Sequence, residues 1–129
     1  MRAEDRKAGQ ISPALLRAYG ESIYGERWQS PLARDLGVDQ TQVRDWLWGR
    51  RPIPERWAVE IVEVVAAKSV ERFVGEIARR CEADGRMPAV LTFRPPPGPA
   101  EGLAIAMLKS VWAPPGTRIE IAIPAKELD

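Results

Sequence analysis

The chain has 129 residues, of which 45% are hydrophobic, with 19 Lys and Arg against 18 Asp and Glu for a formal net charge of +1. That length can close around one core or two small ones, and the hydrophobic share excludes a disordered chain. A charge so near zero excludes the broad basic field of a non-specific nucleic-acid binder, and one cysteine with no histidine excludes an intrachain disulfide and a conventional zinc site.

The first ten residues, MRAEDRKAGQ, carry mixed charge around no apolar core, and no later run is apolar for long enough to span a bilayer. The expectation is an intracellular protein, cytoplasmic and nucleoid-associated, that does not engage a membrane. Without histidine there is no conventional Ser-His or Cys-His pair. No phosphate loop, dinucleotide fingerprint or nucleophile elbow is present either. No enzyme, cofactor or metal is therefore expected. Carboxylate-only nuclease chemistry would need clustered acids, and Glu60 and Glu63 read as the wet side of a helix.

Ser12 followed by Pro13 is an N-cap with proline at the first helical position. It opens a helix whose apolar places Leu15, Leu16, Tyr19, Ile23 and Tyr24 recur at helical spacing, and Gly25 closes it. Trp28 is expected between this helix and the next. Ser30-Pro31 repeats the signal and predicts a helix from Pro31 to Leu36. Gly37 then supplies a positive φ, and Asp39 is placed to cap a second helix with its carboxylate, Gln42 reaching back three residues later.

From Gln40 to Trp48 that second helix has two faces. Val43, Trp46 and Leu47 share one, which predicts core; Gln40, Thr41, Arg44, Asp45 and Trp48 share the other. Trp48, at the end of this helix, could be exposed and pack on a phosphate-sugar edge or be buried by Trp57, and burial is expected. Arg44 has two readings: an ion pair with an acid of the preceding helix such as Asp35, or a bidentate contact with guanine. Arg50 and Arg51 follow in GRRPIP, a loop stiffened by glycine and prolines.

The stretch Gln29 to Gly49, QSPLARDLGVDQTQVRDWLWG, carries the spacing of a helix-turn-helix: small Ala33 where two helices cross, Gly37 at the turn, apolar Leu36, Val38, Val43 and Trp46 in the wedge. Over about residues 12–66 the chain resembles the helix-turn-helix of the lambda-repressor and Cro family, with Trp46 standing where an aliphatic residue is more frequent. The resemblance implies that Gln29, Arg50 and Arg51 hold the DNA backbone and that Gln40, Thr41, Arg44 and Asp45 face bases; Gln42 is counted with the contact residues, and Asp45 reads by itself more as a helix-stabilising or orienting acid than as a cytosine reader. Between Arg27 and Arg56 six arginines stand against Asp35, Asp39, Asp45 and Glu55, a modest local positive field. Background affinity for DNA should be weak, leaving binding to specific contacts made by two copies of the motif.

Pro54 starts another helix, with Trp57, Ile61, Val64 and Val65 inward. Val70, Phe73, Val74, Ile77 and Cys81 extend the pattern to Gly85, as one long helix or as two meeting near Lys68-Ser69. Cys81 reads as a small core residue. Beyond Met87, AVLTF reads as a strand, PPPGP as a stiff connection, Ala100 to Trp112 as an amphipathic helix and TRIEIAI as a second strand. Two strands are too few for a stable sheet, and Ile119, Ile121 and Ile123 form an apolar row that needs a cover.

The expected architecture is α+β and mainly α: a four- to five-helix bundle over 1–69, then a helix-strand-helix-strand module over 70–129 that dimerises or binds a partner. The expected function is sequence-specific binding of double-stranded DNA as a bacterial or phage transcriptional regulator, a repressor acting as a homodimer on an inverted repeat. The alternative is an antitoxin-like protein that binds a protein partner through the C-terminal module and autoregulates through the N-terminal one.

Overall fold

The computed structural model describes residues 11–86, 90–110 and 118–122. Among them lie five helices and two short strands: α1 Pro13–Tyr24, α2 Gln29–Leu36, α3 Gln40–Leu47, α4 Glu55–Asp84, β1 Val90–Phe93, α5 Pro99–Lys109 and β2 Arg118–Ile121. The protein is α+β and mainly α. It packs as two units, Met1–Val65 and Ala66–Asp129, so the division falls inside α4 and slightly before the expected boundary at 69/70.

Local chemistry accounts for the ends of the first helices. The Ser12 hydroxyl accepts the Leu15 amide at 3.1 Å, satisfying one of the N–H groups that a helix start leaves unpaired. Gly25 ends α1 at φ 87°. Helix α2 starts at Gln29, two residues before the start that Ser30-Pro31 suggests, because the Trp28 carbonyl already accepts the Leu32 amide at 3.0 Å. Proline fits anywhere in a first turn, where its missing N–H has no intrahelical partner to lose. At the other end Gly37, at φ 76°, gives its amide to Arg34 while Val38 gives its own to Ala33, a Schellman closure that turns the chain into α3.

The core of the first unit is built by α1, α2, α3 and the start of α4. Leu16, Tyr19, Trp28, Leu32, Ala33, Leu36, Val43, Trp46, Leu47, Ala58, Ile61, Val62 and Val65 are buried. Helices α1, α2 and α3 all touch one another. Trp46 packs at a tilt against Trp57, centroids 6.4 Å apart, with the Arg56 guanidinium 4.8 Å over the Trp57 ring. Gly20 faces the Trp28 indole so closely that a Cβ placed there would fall 2.1 Å from Cε3.

Of the two readings of residues 54–84, the single helix holds: α4 runs unbroken for 30 residues. Neither Lys68 nor Ser69 breaks a helix by propensity, and both are half-buried. Past the division Val70 and Phe73 are buried, but Val74 is exposed and Cys81 only half-buried, so the expectation of a core cysteine does not hold.

In the second unit β1 and β2 run parallel, with Leu91 opposite Ile119 and Phe93 opposite Ile121. Parallel neighbours need a crossover connection, and α5 supplies it. Pro99 occupies the first turn of α5, which buries Ala100, Ala104 and Leu108 along one stripe. Alternation along β1 buries Leu91 and Phe93 and exposes Val90 and Thr92. Phe93 meets Phe73 edge-on at 5.1 Å. Ile119 and Ile121 are half-buried, whereas Ile123, Met87 and Trp112 lie outside the described residues.

Candidate nucleic-acid interface

Helix α3 is short, and its two faces separate cleanly. Val43, Trp46 and Leu47 are buried, which fixes the rotation of the helix and leaves Gln40, Thr41, Arg44 and Trp48 exposed. At spacings of one, four and eight residues from Gln40, these four form a single ridge. Gln42 lies half-buried at its flank. Gln29, also half-buried, is the first residue of α2 and stands apart from the ridge.

Asp39 sits at the N-cap of α3 in extended conformation, φ −72° and ψ 147°, yet its carboxylate makes no capping hydrogen bond. The expected capping box with Gln42 is absent. Instead the Asp39 carbonyl accepts the amides of Gln42 at 3.0 Å and Val43 at 3.3 Å, so the backbone alone starts the helix.

Arg44 is exposed, and no hydrogen bond or ion pair ties its guanidinium to any described residue. Its expected alternative partner, Asp35, accepts the Tyr24 hydroxyl at 2.5 Å, a bond joining the last residue of α1 to α2. Burial first, then that hydrogen bond and the Asp35 charge, hold the Tyr24 hydroxyl well above its ordinary pKa.

Asp45 turns away from the ridge. Its carboxylate accepts a hydrogen bond from Arg50 Nη1 at 3.3 Å and lies 3.9 Å from Arg51 Nε. Its carbonyl also accepts the Arg50 amide at 2.9 Å, and Gly49, at φ 76°, gives its amide to Trp46. A second Schellman closure thus ties the basic loop to the last turn of α3. The Asp45 side chain is 21% exposed, while those of Arg50 and Arg51 are 66% and 76% exposed, so the acid orients the loop and the arginines keep their outer donors.

Trp48 overturns its expected burial: it is 63% exposed, and Trp57 packs on Trp46 instead. As C-cap of α3 it gives its amide to the Arg44 carbonyl, at the point where the chain passes into the arginine loop. The sequence signal was its place on the polar face with Gln40 and Arg44. Among the described residues, no helix is long and apolar enough to cross a membrane. Comparison of the chain with family models, curated proteins and solved structures gives no match.

Proposed function

We propose that this protein is a sequence-specific double-stranded-DNA-binding regulator of transcription, a repressor whose helix-turn-helix, α2 and α3, is of the lambda-repressor and Cro type. The observation that carries the reading is the ridge of Gln40, Thr41 and Arg44: two amphoteric side chains and one guanidinium without a partner among the described residues, on a short helix held rigid by a buried opposite face. Arg matches guanine O6 and N7, Gln matches adenine N6 and N7, and threonine suits a phosphate or a thymine methyl. Arg50 and Arg51, fixed at the end of the same helix, and Gln29 at the start of α2 are the phosphate contacts.

Two copies bind an inverted repeat. One copy has little charge with which to hold DNA. The two-strand sheet of the second unit leaves Ile119 and Ile121 half-buried on one face, an apolar row that a second chain covers. Selection of bound duplexes from a random pool tests the reading. It should enrich two half-sites about 10 base pairs apart, or a multiple of that, in inverted orientation. Failure to enrich any sequence would remove the regulator, and a monomer by light scattering at micromolar concentration would remove the homodimer and favour the antitoxin-like arrangement.

A further inference from the structure

Trp48 is the largest apolar side chain exposed among the described residues, and none of the contacts just described for the regulator needs it. Resting on that reading, we infer that its indole packs against the deoxyribose edge of the DNA backbone, closing the reading helix against the wall of the major groove. Helical rise places Trp48 about 12 Å along α3 from Gln40. The major groove is also about 12 Å wide, so a helix reading bases with its first turn brings its end to the sugar-phosphate wall.

The surroundings select that occupant. Arg44 lies one turn before Trp48 on the ridge, and Arg50 and Arg51 follow it, 66% and 76% exposed. Asp45, an acid of the last turn of α3, is engaged by Arg50 and Arg51. An exposed indole whose neighbours along the chain include three exposed arginines matches a surface where apolar sugar faces alternate with phosphates. Backbone bonds fix the main chain of Trp48 at the helix end: its amide is given to the Arg44 carbonyl and that of the next residue to the Trp46 carbonyl. The indole itself has only two side-chain torsions to order on binding. Sugar carries no base identity, so Trp48 contributes affinity and leaves specificity to the ridge.

The test is a titration of the full chain, with Trp48→Ala and Trp48→Phe, against its selected duplex and an unrelated one over a range of salt. Truncation of a buried aromatic anchor costs an interface about tenfold in affinity. Trp48→Ala should lose about that factor on both duplexes, with the salt slope and thermal midpoint unchanged, and Trp48→Phe should recover part of it. An unchanged affinity in Trp48→Ala, with the parent chain still binding its duplex, would overturn the sugar contact and leave the regulator standing. A loss confined to one base pair, or a fall in molecular mass by light scattering without loss of affinity per site, would overturn it too, by assigning the indole to base readout or to a second copy. Absence of binding by the parent chain would instead remove the regulator itself.

Discussion

The two units solve the problem of a small core in different ways. The first interlocks four helices around large side chains, Trp28, Trp46 and Tyr19 among them, and among its described residues buries no charged side chain. The second sets a two-strand parallel sheet and α5 around Phe73, Leu91, Phe93 and a stripe of alanines, leaving Val90 exposed and its isoleucines half-buried. A helix buries one stripe and frees the other, so the first unit can finish its core and still offer a polar ridge. A sheet strand has two faces, and two strands do not cover both. Under the proposed function, readout falls to the first unit and association to the second.

Substitutions that break one core at a time sharpen the contrast. Trp46→Ala should have the largest effect, a loss of roughly 3–5 kcal/mol, because it empties the center of a site that four helices hold rigid. Most of the stability of a small domain would go with it, visible as loss of the thermal transition and of DNA affinity together. A variant that keeps its transition and loses only affinity would make Trp46 a contact residue. Phe93→Ala should cost less, about 3 kcal/mol, since the small sheet can relax into the space. An equal or greater denaturant-midpoint shift would mean that the second core is the tighter one.

Gly20→Ala should destabilise by about 1–3 kcal/mol despite its better helix propensity, because the new methyl meets the buried Trp28 ring. A gain in stability would show that the ring has room to move. The smallest effect belongs to Tyr24. Its hydroxyl pKa is raised in the folded chain, so the stabilisation is fully present below the ordinary tyrosine value near 10 and is lost as pH rises beyond it. Tyr24→Phe should therefore be less stable than the parent at neutral pH, and the gap should narrow in denaturant titrations above about pH 10. A gap independent of pH would remove the Asp35 hydrogen bond from the account.

Much of the first unit was legible. Ser12-Pro13 with Gly25, the Gly37 turn, and Val43 with Trp46 each carry a local signal that tertiary structure leaves alone. Other features depended on partners that spacing cannot name. Helical period puts Trp48 on the polar face, but only the packing of Trp57 on Trp46 decides which indole stays outside. Asp45 shares the ridge side of α3 by period and is drawn off it by two arginines whose loop geometry follows from Gly49. Nothing in the local sequence marks Gly20, whose need for a bare Cα comes from the Trp28 ring packed against it. Parallel pairing of β1 with β2 emerges from the α5 crossover, and neither strand encodes it alone. Within the proposed interface the identities of Gln40, Thr41, Arg44, Arg50 and Arg51 were readable. The backbone start at Asp39, the partners of Asp45 and the exposure of Trp48 needed the structure.

The claim that the ridge of α3 reads DNA is tested most directly by comparing Arg44→Ala with Arg51→Ala on the selected duplex at fixed salt. Arg44→Ala should lose roughly 1–3 kcal/mol at the preferred site and relax discrimination at one base pair, while Arg51→Ala should weaken all sequences alike. An Arg44→Ala protein with affinity and preference both unchanged would contradict the assignment of that face.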